Sequence, residues 1–497
     1  MLPSANTTFF LASAIITMPV ETLQLSVFIL ITATIGWLTY RKVSADLAAQ
    51  GGLGTAREEV FLAGKGLSWV VVAGSITLTN LSTDQLVGMN GNQMVLLAWW
   101  ELAAVVGLVI LAKVILPVYY RYNCTTTTEL LEKRYDDRRI RALIGLLFLL
   151  GNLFIFIPAM LYGGSLFIQT MFNVDIPLLW IAIAFGLVGS AYAVLGGLRA
   201  VAVSDAYSGV LLLTLGVAVV VLSLSAIDFD FSGIPAERLT LIGDSNSPIP
   251  WHTLLTGMVF IQIFYWGTNQ TITQRAMASP TVEEGQKGVL AAAAIRLVII
   301  PPLVVIPGLV SYKLYGDIGD AAFGTIVGDV LPLWLSGAFA AAIAAAVLTS
   351  VNSVLNSSTT LWVCDIHEPY INASADLRRL NLVITLVFVV IGLAMVPVYA
   401  TADSIINLVQ ELYGLLSMPI LSAFIVGLLF RDVAAGAAII AVVLGVFLYG
   451  FFSFVWAPLH YIHMMFFTVI FCVLAALMVS RLVFGTRPAF DPVIRLG

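Results

Sequence analysis

The chain has 497 residues, 60% of them hydrophobic and only 10% charged, with a mean hydropathy of +1.01. A soluble domain carries about a quarter charged residues; no soluble core could hide this much apolar surface, so the bilayer must be the solvent. The net charge of −5 says less than its distribution, while three cysteines (Cys124, Cys364, Cys472) and four unpatterned histidines offer neither a disulfide framework nor ligand spacing.

The first apolar run, Phe9 to Met18, has no Lys or Arg before it, which argues against a cleaved signal peptide. Stretches long enough to cross as helices, about 20 residues each, then follow in order. They fall at roughly 23–41, 67–92, 94–119, 141–170, 176–197, 201–226, 251–274, 287–312, 333–360, 380–398, 402–430, 433–456 and 462–484. Strands would be half as long and would alternate, so an all-α polytopic protein with about thirteen transmembrane helices is expected.

The basic residues test that count. With the N-terminus outside and the C-terminus cytoplasmic, only Arg238 and Lys313 face out, and Lys113 and Arg296 lie within spans. The other nineteen of the 23 Lys and Arg fall on the inner side, among them Arg41, Lys42, Arg57, Lys65, Arg487, Arg495 and the cluster Lys133, Arg134, Arg138, Arg139 and Arg141. Cytoplasmic loops retain cations, so this asymmetry sets the orientation of an integral protein of the cell membrane.

The longest outer connection, 227–250, divides the middle of the chain into two five-span blocks, 67–226 and 251–430. Residues 1–66 hold one preceding helix, and 431–497 two trailing helices and a short tail. The first span of each block is interrupted by polar residues and glycine. The first break runs through Thr77, Asn80, Ser82, Asp84 and Gln85 to Gly88 and Gly91; the second through Gln262, Tyr265, Trp266, Gly267, Asn269 and Gln270. Interrupted helices at matching positions of two halves point to a transporter's midplane site.

Several polar residues inside spans need a reason to be there. Glu101, preceded by Trp99 and Trp100, puts a carboxylate in hydrocarbon at a cost of about 3 kcal/mol even on a lenient scale, so it should face a cavity or a partner. A structural hydrogen bond between helices is the plainer alternative. Arg296 raises the same question, with snorkelling to the inner surface as its alternative. Gln85, Gln262 and Gln410 carry amides that both donate and accept, as a sugar hydroxyl does. Tyr265 and Trp266 supply flat faces for the apolar side of a pyranose ring. In AAAIAAAVLTSVNSVLNSS (340–358), small residues favour close helix packing. Thr349 and Ser350 there add two adjacent hydroxyls. With carbonyls freed by the break in 67–92, they suit a monovalent hard cation, whereas divalent sites recruit carboxylates.

Six ordered stretches carry a family resemblance: FLAGKGLSW (61–69), NLSTDQLVGMNG (80–91), GGLRAVAVSD (196–205), FYWGTNQTITQR (264–275), AAAVLTSVNSVLNS (344–357) and QELYGLLSMPIL (410–421). From about residue 23 to 456 the sequence resembles the solute:sodium symporter family, most of all its bacterial sodium/galactose branch. The resemblance implies a leucine-transporter-like core of two inverted five-helix repeats working by alternating access. It implies a sodium site at the carbonyls of Leu78, Leu81 and Ala346 and the hydroxyls of Thr349 and Ser350, with Asp205 on the inward exit path. The solute site would fall on Gln85, Glu101, Gln262, Arg296 and Gln410, with Asn80 and Trp100 nearby. Tyr265 would be the inner gate, and Met89 and Ile406 outer-gate residues.

Gln262 and Arg296 depart from the asparagine and lysine usual in the galactose branch. Arg offers a planar fork that fits a carboxylate, so a sugar acid competes with a neutral hexose as substrate. The expected activity is therefore sodium-coupled symport of a small polar solute, a monosaccharide first, with a sugar acid, other carboxylate, amino acid or inositol as alternatives. No catalysed chemistry and no nucleic-acid partner are expected. A solute-gated sensor would add a signalling domain, for which the tail FGTRPAFDPVIRLG is short.

Overall fold

Backbone N–H and C=O groups in hydrocarbon find no water and must pair within their own segment, which makes helix the default throughout the chain. The structure is a computed structural model and describes residues 20–50, 61–372 and 377–493; Arg57, Arg495 and the run Phe9 to Met18 lie outside the described residues. In chain order the helices are α1 (Val20–Gln50), α2 (Trp69–Asn80), α3 (Thr83–Gly91), α4 (Val95–Arg121), α5 (Arg138–Phe172), α6 (Leu178–Ala226), α7 (Gly257–Gly267) and α8 (Gln270–Met277). They continue with α9 (Val282–Tyr315), α10 (Ala322–Val330), α11 (Leu333–Leu361), α12 (Leu377–Tyr399), α13 (Ile405–Leu429), α14 (Ala435–Phe454) and α15 (Tyr461–Leu482). A two-residue antiparallel ladder, β1 (Phe430–Arg431) with β2 (Ala489–Phe490), ties the tail to the end of α13.

Among the described residues, nine segments are long and apolar enough to cross a membrane, and three shorter apolar helices, Trp69–Asn80, Leu178–Ser190 and Gly257–Gly267, accompany them. The expected thirteen spans are thus not matched one for one, for physical reasons. Spans 67–92 and 251–274 are each two short helices. Spans 176–197 and 201–226 form one unbroken helix of 49 residues, α6, which runs on through Gly196 and Gly197 with no proline between the two spans to stop it. The span expected at 23–41 lies inside α1.

Both breaks follow from local sequence. Ser, Thr and Asn side chains compete for backbone groups and favour caps over helix interiors. Between α2 and α3, Leu81 leaves the helix (φ −75°, ψ 61°) and Ser82 is extended (φ −81°, ψ 165°). Between α7 and α8, Asn269 is extended (φ −66°, ψ 122°), and its side-chain oxygen accepts the Thr271 N–H at 2.9 Å to cap α8. The alanine-rich helix α11 packs against α1, α2, α5 and α6, so its polar residues Thr349, Ser350, Asn352 and Ser353 are buried. Most outward-facing side chains of the spans are apolar, with Lys113 of α4 an exposed exception: Val106 and Val109 on α4, Val387 and Val390 on α12, Phe447 and Phe451 on α14 are all exposed. Lipid tails are their natural neighbours.

Candidate functional site

The two breaks meet around a small polar cavity of about 40 Å³, lined by Asn80, Gln85, Trp100, Ile261, Gln262, Tyr265, Trp266 and Gln410. Ile261, Gln262, Tyr265 and Trp266 recur at i, i+1, i+4 and i+5 and so share one face of α7. Gln262 is committed on both sides: its Nε2 donates to the Trp100 carbonyl at 3.1 Å, and its Oε1 accepts from Trp266 Nε1 at 2.9 Å. Asn80 Nδ2 donates to the Tyr265 hydroxyl at 2.8 Å. The other ends of two amides have no partner: Asn80 Oδ1 and Gln85 Oε1 are buried and unpaired acceptors. A cavity this size has room for only a few waters, at about 10–15 Å³ each. The walls must part before a hexose enters.

Glu101 and Arg296 do not line that cavity. Both are fully buried one layer behind it, and they form an ion pair with each other. Arg296 also lies over the Trp266 ring, 4.6 Å from its centroid, and Nη2 donates to the Thr77 carbonyl at 3.4 Å. The guanidinium is not at a membrane surface, so snorkelling does not describe it. Its charge is met by Glu101, leaving no free cation in the site to favour an anion.

Thr349 and Ser350 lie on α11 opposite the break between α2 and α3, where Thr79 Oγ1 and Ser353 Oγ approach at 3.4 Å. Thr349 Oγ1 donates to the Ala345 carbonyl at 2.8 Å, which leaves its lone pairs to accept or ligate. Ser350 Oγ is buried with no partner. The last carbonyls of a helix lack intrahelical donors; the Leu81 N–H covers Thr77 and the Ser82 hydroxyl donates to Asn80 at 3.4 Å, which leaves Leu78 and Thr79 open. An orphaned hydroxyl beside freed carbonyls is a donor set that fits sodium. Asp205 of α6 sits beside it, its Oδ2 accepting from Ser75 at 2.6 Å and Thr79 at 3.2 Å.

Met89 and Ile406 are both buried. A Cβ on Gly88 would stand 2.6 Å from Ile405 Cγ2 and 2.9 Å from Ile406 Cβ, so α3 and α13 are in direct contact there. Tyr265 is held among aromatic rings, with centroids of Trp266, Tyr413 and Phe156 at 5.1, 6.0 and 6.3 Å. Sequence reasoning missed two participants. Ile261 has only its i, i+4 relation to Tyr265 as a signal. Arg275, counted as an inner-side cation, is fully buried, with Nε donating to Ser75 at 2.8 Å and Nη2 lying 3.7 Å from Asp205.

The profile of the sodium:solute symporter family matches residues 60–445. The chain is 34% identical over 447 residues to the symporter YidK of Escherichia coli K12, covering 85% of this chain and 76% of that protein. It is 29% identical over 458 residues to the sodium/glucose cotransporter of Vibrio parahaemolyticus, covering 84% of each. The fold is that of a solved Na+-coupled sialic acid symporter, with a TM-score of 0.79 at 17% identity over 96% of this chain and 99% of that one. Leucine-transporter-fold carriers are thus its structural neighbours, and sodium is the coupling ion. The chain belongs to the sodium:solute symporter family.

Proposed function

We propose that this symporter couples sodium entry to uptake of a neutral monosaccharide across the cell membrane. The observation that carries the reading is the pair of buried acceptors, Asn80 Oδ1 and Gln85 Oε1, left without a donor on two residues that line the cavity. A sugar hydroxyl donates to such an oxygen; a carboxylate, with no proton to give, is repelled by it. The Glu101–Arg296 pair supports the same choice, because Arg296 is already balanced by Glu101, as Arg275 is by Asp205. Gln410 and the aromatic pair Tyr265 and Trp266 would complete the sugar contacts. Sodium would bind between Leu78, Leu81, Ala346, Thr349 and Ser350 and leave past Asp205, linking the first broken helix to α11. Met89 and Ile406 would gate the outer side and Tyr265 the inner. Two inverted repeats, 67–226 and 251–430, would rock about that midplane, with the N-terminus outside and the C-terminus cytoplasmic.

Counterflow in proteoliposomes, with hexoses and uronates compared at equal concentration, tests the reading. Sodium-dependent exchange of a neutral hexose is expected. Exchange of uronates alone, or exchange indifferent to sodium, would overturn it.

A further inference from the structure

Asp320 is a carboxylate with no counter-charge. It lies in the single turn Gly319–Ala321 between α9 and α10, outside the spanning segments. Its Oδ2 accepts the backbone N–H of Ile405 at 3.0 Å in the first turn of α13, and its Oδ1 is buried without a partner. The natural cap of α13, Ser404, makes no capping bond; its hydroxyl accepts instead from Asn92 Nδ2 at 3.2 Å, just past α3. Asp320 therefore satisfies, from a distant loop, one of the orphan N–H groups at the start of α13. Gly91, the last residue of α3, presses on it: a Cβ there would lie 2.8 Å from the Asp320 Cα. The nearby cation, Arg238, is engaged elsewhere, with Asp317 at 2.8 Å, the Tyr312 ring at 3.9 Å and the Asn92 and Gln93 carbonyls.

We propose that Asp320 is the latch of the gate formed by α3 and α13: its carboxyl, buried in the closed gate without a counter-charge, ties the start of α13 to the end of α3, and the cost of burying its ionised form favours the open gate. Gate opening must part Gly88 from Ile405 and Ile406, and the Ile405 N–H is the group Asp320 holds. In the closed gate, burial pushes the Asp320 carboxyl up to about 7, opposed only by that N–H. In an open, hydrated gate it returns to the ordinary carboxylate range near 4. The closed gate therefore binds the proton more tightly. Acid stabilises closure, and that stabilisation is lost as pH rises through about 7. Of the titratable groups on the elements packed here, Tyr162 of α5 faces Asp320, and the exposed Asp403 stands two residues before Ile405. Asp84 lies at the far end of α3, Asp329 at the far end of α10 bonded to Tyr315, and Glu411 lies six residues beyond Ile405 in α13.

The inference rests on the proposed reading only in calling this gate the outer one. Its test uses nitroxides on cysteines introduced at the exposed positions Ile242 and Thr401, the three native cysteines being buried. Ile242 belongs to the loop that Arg238 fastens to the end of α3, and Thr401 precedes α13. With sodium and no solute, the closed, short-distance population should rise about threefold or more between pH 8.5 and 5.5. Asp320→Asn, a permanent mimic of the neutral acid, should remain closed across the range and lose the response. Gly91→Ala, which crowds the latch, should shift the population open even at pH 5.5. An Asp320→Asn protein that keeps the wild-type pH response, or a wild type with none, overturns the latch. The distances need no solute, so failure of hexose counterflow alone sinks the sugar reading and leaves this one standing.

Discussion

Glu101 and Arg296 are two charges that the bilayer interior tolerates only together. Removing one member of a buried pair leaves the other uncompensated, at about 3–5 kcal/mol, whereas replacing both with apolar groups of similar volume is often neutral. Glu101→Gln should therefore lower the melting temperature in detergent markedly, whereas Glu101→Leu combined with Arg296→Met should stay near the parent. A Glu101→Gln protein as stable as the parent would show that the pair carries no such burden. Thr349 and Ser350 work differently, since their hydroxyls are proposed ligands rather than partners. Replacing both with alanine should raise the half-saturating sodium concentration at least tenfold, about 1.4 kcal/mol, with uptake recovering at high sodium. An unchanged sodium curve would move the ion elsewhere.

At the scale of elements, the cavity exists because two helices end early and a third comes very close. Gly107 of α4 abuts α7: a Cβ there would lie 2.6 Å from Trp266 Cδ1 and in hard contact with the Gln262 carbonyl. Gly107→Ala must push that face of α7 into the cavity, with an overpacking cost of about 1–3 kcal/mol. Solute affinity should fall while sodium binding, followed by tryptophan fluorescence without solute, stays as it was. Loss of both together would mean that the glycine serves the whole bundle rather than the α7 wall. The polar breaks in 67–92 and 251–274 were legible in the sequence because Ser, Thr and Asn in an apolar run have few other uses. The continuity of α6 was not, since hydropathy marks where chain is apolar and not whether the helix stops between two apolar stretches.

For the molecule as a whole, the proposed solute site between α2, α3 and α7 and the proposed sodium site between α2 and α11 share the broken helix α2, so their binding energies are expected to be linked. Whatever factor sodium adds to solute affinity, solute must add to sodium affinity. Titration calorimetry in both orders should give equal ratios within error; unequal ratios would break the shared-state description. Composition alone determined that this chain lives in a bilayer as a helical bundle, because hydropathy is a sum over residues and needs no fold. The ordered motifs carried the family and sodium as its ion. Which polar groups are spent on one another was a matter for tertiary structure alone. Glu101 and Arg296 are 195 positions apart, and only packing could turn two candidate solute ligands into a pair behind the wall, as it left Asn80 and Gln85 with an oxygen each unpaired. Hydrogen-bond satisfaction is a property of three-dimensional neighbours, and a sequence lists only the groups that need it.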